Sequence, residues 1–216
     1  DQNIKVGNKS NVDAFFVGGS LMMDSESNNR VANIKKKSEI PLILFPGGVG
    51  QLSKHYDAML FMSVISGRNS HYLIGEQVIA APVVKDLGIE TIATGYILLD
   101  GGACTTVEFM SGTRPIPTNK IDIIIAHALA GQYLGMEAIY LESGSGAQSP
   151  VTIDVVTAVR EVINIPIIIG GGIKSPETAS ELVKAGGSII VTGTITEKDS
   201  SLMSEIADAV HWKKND

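Results

Sequence analysis

Pro166-Ile-Ile-Ile-Gly-Gly-Gly-Ile173, then Lys174-Ser-Pro-Glu177, a helical pattern closing at Gly186-Gly187, and Ser188-Ile-Ile-Val-Thr-Gly-Thr194 form the stretch from which the fold is read. Two wholly apolar runs each end in a glycine-rich turn, with one amphipathic segment between them. Continuous Ile/Val runs suit strands buried on both faces, as in parallel sheets. Their glycine ends lie one strand–helix repeat apart, and glycine lets backbone amides approach a ligand with no side chain in the way. Two neighbouring turns of this kind match the phosphate cradle that (β/α)8 barrels place after their last two strands.

The same rhythm extends outward. Asp13-Ala-Phe-Phe-Val-Gly-Gly19, Pro41-Leu-Ile-Leu-Phe-Pro-Gly-Gly48, Ala58 to Ile65, Glu90 to Leu99 and Ala138 to Glu142 read as further strands. Helical patterns follow at Ser25–Lys37, Glu76–Leu87 (interrupted by Pro82), Asn119–Leu134, a segment opened by Ser149-Pro150, and Lys198–Val210. Only a short gap precedes Ala58, with hardly room for a crossover helix. Asp100–Pro117 reads as a loop or small hairpin over the mouth. The count is seven strands alternating with helices, which argues a parallel α/β fold. Since a barrel of this type closes with eight, and residues 1–11 are polar, the expectation is that a first strand lies upstream. An open doubly wound sheet is the competing architecture.

Composition sets limits. A chain of 216 residues suits one domain, here taken as 1–216, with a sizeable core. Hydrophobic content of 44% against 19% charged residues is that of a soluble globular protein, and the net charge of −6 disfavours nucleic acid as a partner. Cys104 is the single cysteine, so no internal disulfide forms and a reducing cytoplasm is expected. No apolar run reaches the roughly 18 residues of a membrane span.

Tyr140-Leu-Glu-Ser-Gly-Ser-Gly146 carries the most chemistry. Strand alternation puts Tyr140 and Glu142 on one face and Leu141 on the other. Glu142 stands at the strand's C-terminal end, where barrel enzymes keep catalytic groups, and the Ser-Gly-Ser-Gly turn offers hydroxyls and amides to an anion. An acid beside an anion cradle needs a neutral group to bind, such as the hydroxyls of a polyol phosphate, for which it can act as hydroxyl acceptor or general base. No lysine ends an apolar strand, which disfavours a Schiff-base aldolase. His55, His71, His127 and His211 show no metal-ligand spacing. Phe45, Phe61, Met62 and Tyr96 are candidates for an apolar channel, with core packing as their default role.

Asp13-Ala-Phe-Phe-Val-Gly-Gly-Ser20, Pro41-Leu-Ile-Leu-Phe-Pro-Gly47, Tyr140 to Gly146, Ile169-Gly-Gly-Gly-Ile173 and Val191-Thr-Gly-Thr194, in this order, resemble the geranylgeranylglyceryl phosphate synthase family, prenyltransferases of ether-lipid synthesis related to heptaprenylglyceryl phosphate synthases. The resemblance implies a (β/α)8 TIM-type barrel with a reduced third helix. It implies Mg2+-dependent transfer of a prenyl group, typically geranylgeranyl, from its diphosphate to a hydroxyl of sn-glycerol 1-phosphate. Carried over by position, Tyr140, Leu141, Glu142, Ser143, Gly144, Ser145, Gly146, Gly171, Gly172, Gly193 and Thr194 hold glycerol phosphate. Tyr140 and Glu142 are the catalytic candidates, and Ser20 helps hold Mg2+. The family's other metal ligand is the first Asp of an Asp-Pro-Asp/Glu segment. This sequence has no such segment, and Asp1 is the candidate remnant. Relatives form dimers and larger rings, so a homo-oligomer is expected. A phosphosugar isomerase or a non-catalytic phosphate-ligand-binding barrel is the alternative function, the first requiring a second acid or a cysteine partner, the second none.

Overall fold

A computed structural model describes residues 2–211. Asp1 and Trp212 to Asp216 lie outside the described residues. In chain order the elements are α1 (Gln2–Gly7), β1 (Phe15–Gly18), α2 (Ser27–Lys37), β2 (Leu42–Phe45), β3 (Ala58–Ser63), α3 (Glu76–Leu87), β4 (Glu90–Leu98), α4 (Thr106–Ser111), α5 (Ile121–Tyr133), β5 (Ala138–Glu142), α6 (Ile153–Val162), β6 (Ile167–Gly170), α7 (Pro176–Lys184), β7 (Ile189–Val191), α8 (Thr194–Lys198) and α9 (Leu202–Val210). A 3-10 turn, Val49–Gln51, is the sole helical element between β2 and β3, and a π-helical turn, His71–Gly75, leads into α3. The reduced helix expected before Ala58 is that short turn.

The seven strands form one sheet in the order β1 to β7, every neighbouring pair parallel. With helices alternating between strands, this is a nearly closed barrel whose open side lies between β7 and β1. The competing open doubly wound sheet is ruled out, because sequential neighbours pair throughout and the order never reverses.

Strand alternation sorts the side chains into layers. On β4, β5 and β6, Tyr96, Leu98, Ala138, Tyr140 and Ile168 face the barrel interior. Ile97, Ile139, Leu141, Ile167 and Ile169 face outward into the layer shared with Ile124, Val155, Val159 and Leu182 of the helices. Both faces are covered, which is why these strands read as unbroken apolar runs. Each fully buried aliphatic side chain contributes about 1.5–3 kcal/mol. A second outer cluster, with Leu42, Leu44 and Val84, covers the β2–β3 side.

Several local expectations need correction. Pro82 does not interrupt α3: it sits on the exposed side, where a carbonyl deprived of its donor is open to solvent. Ser149 does not cap α6. Thr152 is its N-cap, and the Gln148 and Ser149 amides instead donate to the Gly101 carbonyl. Ser175-Pro176 does open α7, the Ser175 hydroxyl accepting from the Thr178 amide. The Asp100–Pro117 excursion holds α4 and not a hairpin, pinned by a parallel bridge between Leu99 and Ile116. The last helix, expected from Lys198, begins at Leu202 as α9, and the short α8 precedes it at Thr194–Lys198.

Candidate functional site

The C-terminal ends of the strands open into a cavity of about 1610 Å³ that also runs along the open side between β1 and β7. It exceeds the roughly 300–1,000 Å³ of ordinary small-molecule pockets, because it takes in the gap between β1 and β7 as well as the barrel mouth. An aromatic group forms part of its wall. The Phe45 and Tyr140 rings stack with centroids 5.2 Å apart, and Tyr96 lies 5.4 Å from Tyr140. Phe61 and Met62 line the same cavity, so the four residues proposed for an apolar channel share one space.

Glu142 ends β5 with its carboxyl turned inward and only 5% of the residue exposed. One oxygen accepts from the Gly144 amide at 2.6 Å. Burial pushes the carboxyl up to about 7, against the smaller lowering effects of that amide and of the Tyr140 hydroxyl. Near neutral pH the group therefore switches between acid and base, as a proton acceptor should. The Tyr140 hydroxyl is buried with no hydrogen-bond partner, yet near enough to Glu142 for the two to influence each other's titration. Burial, followed by the Glu142 charge, holds Tyr140 well above the usual phenol range.

Around this pair the turns after β5, β6 and β7 meet. The Ser145 and Thr194 hydroxyls are 3.4 Å apart, bridging the first turn to the third. Gly171 packs on the Gly144 backbone so closely that a Cβ there would stand 2.6 Å from the Gly144 nitrogen and 2.5 Å from the Glu142 carboxyl. Its φ of +83° also requires glycine. Glycine backbone and hydroxyls gathered on converging turns are groups that can hold an anion.

The structure brings Tyr140, Glu142, Ser145, Gly146, Gly171, Gly172, Gly193, Thr194 and Ser20 to the cavity wall. It places three predicted site residues elsewhere. Leu141 is fully buried in the outer helix layer, because its neighbours Tyr140 and Glu142 take the inner face. Ser143 is fully buried, its hydroxyl without a partner, and Gly144 lies behind the wall, donating to Glu142. Among the described residues no group of three acidic, His or Cys side chains is placed to hold a metal ion. Ser20 alone does not make a Mg2+ site, and Asp1 lies outside the described residues.

Sequence reasoning missed α4, whose N-cap Thr105 lines the cavity together with Val107 and Met110 of the helix. The signal was the Thr105-x-x-Glu108 capping pattern, realised as the Thr105 hydroxyl accepting from the Glu108 amide. It also missed Glu76, which pairs with His71 at 2.8 Å and accepts from the Val49 amide, tying the π-helical turn to the loop after β2. No described helix is long and apolar enough to cross a membrane.

Comparison with known proteins gives this site a family. The chain is 48% identical over 200 residues to the geranylgeranylglyceryl phosphate synthase of Chitinophaga pinensis, covering 93% of this chain and 79% of the relative. It is 40% identical over 210 residues to that of Methanosphaera stadtmanae, covering 96% and 86%. The crystal structure of (S)-3-O-geranylgeranylglyceryl phosphate synthase from Thermoplasma acidophilum, in complex with its substrate sn-glycerol-1-phosphate, superposes with a TM-score of 0.91 at 34% identity, covering 97% of this chain and 85% of that one. It follows, from these relatives and from a family model matching residues 1–210, that the chain belongs to the PcrB family.

Proposed function

We propose that the protein transfers a prenyl group from a prenyl diphosphate to a hydroxyl of sn-glycerol 1-phosphate; in support, its relatives are named geranylgeranylglyceryl phosphate synthase, and a solved one holds sn-glycerol-1-phosphate as substrate. The observation that carries the reading is the inward, buried Glu142 set beside the Gly171 and Ser145–Thr194 turns. The phosphomonoester sits on the amides and hydroxyls, and the glycerol end reaches the carboxyl. Glu142 accepts the hydroxyl proton as the glycerol oxygen bonds to the allylic carbon. The carbon–oxygen bond to diphosphate breaks, and its electron pair leaves with diphosphate. The aromatic wall of Phe45, Tyr96 and Tyr140 lines the way for the apolar tail. Mg2+ remains an expectation of the resemblance. The described residues do not by themselves fit it, so no step is derived through it.

The same reading makes the protein a cytoplasmic, self-associating enzyme. Its one cysteine is a free, exposed thiol, and α3 leaves Val78, Ile79 and Val83 exposed on its outer side.

Incubating the protein with geranylgeranyl diphosphate, sn-glycerol 1-phosphate and magnesium should yield the prenyl ether phosphate by mass spectrometry, with one diphosphate released per product. Tight binding of sn-glycerol 1-phosphate with no product from any prenyl diphosphate would show a binding barrel instead.

A further inference from the structure

We infer that Gln51 is a positioning residue for the prenyl diphosphate half of the site, tying the loop after β1 to the loop after β2. Gln51 does not line the cavity, but the residues it holds do. Only 6% exposed, it donates from Nε2 to the Gly19 carbonyl at 2.6 Å and accepts at Oε1 from the Gly47 amide at 2.9 Å. One partner is a carbonyl and the other an N–H, so only one amide orientation satisfies both. The two loops approach closely here: a Cβ on Gly47 would stand 2.1 Å from the Gly19 oxygen. Ser20 follows Gly19 directly, so the clamp fixes where its hydroxyl and the surrounding glycine backbone face the cavity. These loops belong to β1 and β2, and the bonds of Gln51 run to Gly19 and Gly47 alone, separate from those that join Gly144 to Glu142 and Ser145 to Thr194. A defect here should therefore weigh on the substrate held away from the β5–β7 turns. A buried side chain that joins two catalytic-face loops without lining the cavity acts through the loops it orders.

The inference rests on the prenyl transfer reading for its kinetic consequence, and on geometry alone for the clamp. Gln51→Leu removes both hydrogen bonds. It should raise KM for geranylgeranyl diphosphate by about tenfold, the scale of losing a pair of buried hydrogen bonds, with KM for sn-glycerol 1-phosphate unchanged. Gln51→Glu supplies a second readout. Ionised, its side chain only accepts; protonated, it again donates to Gly19 and accepts from Gly47. Its donor KM, divided by the wild-type value at each pH, should therefore fall toward one as pH is lowered. Hydrogen exchange of the Gly47 amide should quicken in Gln51→Leu. Equal rises in both KM values, a pH-independent ratio for Gln51→Glu, or an unchanged Gly47 exchange rate would each overturn the inference. If the wild-type protein transfers no prenyl group, the reaction reading fails, and Gly47 exchange still decides whether Gln51 clamps the loops.

Discussion

Glu142→Gln is expected to lower turnover by about 10²- to 10⁴-fold, the usual worth of a positioned proton acceptor. The amide keeps the shape of the carboxyl but cannot take the hydroxyl proton, so the loss should fall on kcat more than on KM. In the wild type the rate should rise with pH through a midpoint at about 7, where burial has pushed the carboxyl, and this limb should vanish in the variant. Stability should move the opposite way. Between its ordinary 4.5 and about 7 the folded carboxyl holds a proton that the unfolded chain has released. The folded state thus binds more protons, and stability falls as pH rises across that window. The full effect is about 3 kcal/mol. Glu142→Gln, which carries no charge, should therefore be more stable than the wild type at pH 8 and gain nothing at pH 4. A near-normal rate in Glu142→Gln would remove the residue from the mechanism.

Gly171→Ala should have the next largest effect. The left-handed backbone at this position, φ +83°, costs an alanine about 1–2 kcal/mol. Its Cβ would also strike the Glu142 carboxyl at 2.5 Å and the Gly144 backbone. Neither neighbour can yield cheaply, since one is buried and held by the Gly144 amide and the other is main chain. KM for sn-glycerol 1-phosphate should rise at least about tenfold, while KM for the prenyl diphosphate stays close to wild type. Gly88→Ala is the control. Gly88 caps α3 with φ +67° and nothing within 4 Å of a Cβ, so it pays the backbone cost without the collision. It should lose stability and keep both KM values. Gly171→Ala binding sn-glycerol 1-phosphate like the wild type would mean that the turn is not part of the cradle.

The strands were legible because each is a run of apolar residues buried on both faces, and the Ile167–Ile169 run left little ambiguity. The inner and outer faces of β5 were legible for the same reason: a period of two separates Tyr140 and Glu142 from Leu141. What alternation also implied, and the family pattern obscured, is that the Leu141 side chain faces the helices and not the cavity. Helix ends were less legible. Ser149-Pro150 has the form of a cap, but the pull of the Gly101 carbonyl on the Gln148 and Ser149 amides decides the local conformation. Pro82 looked like a break because sequence does not say which side of a helix meets water. The acidity of Glu142 was beyond reach, since it follows from how completely the surrounding strands bury the carboxyl. Gln51 was hidden for a related reason: its partners, Gly19 and Gly47, are main-chain atoms brought together only when β1 and β2 pair.

The central claim is that the turns after β5, β6 and β7 jointly hold one phosphomonoester with its polyol end on Glu142. A crystal structure of the protein soaked with sn-glycerol 1-phosphate tests it most directly. The account predicts the phosphate within hydrogen-bond reach of the Ser145 and Thr194 hydroxyls and the Gly172 backbone, with a glycerol hydroxyl on the Glu142 carboxyl. A phosphate seated away from these turns, or a glycerol end pointing away from Glu142, would contradict it.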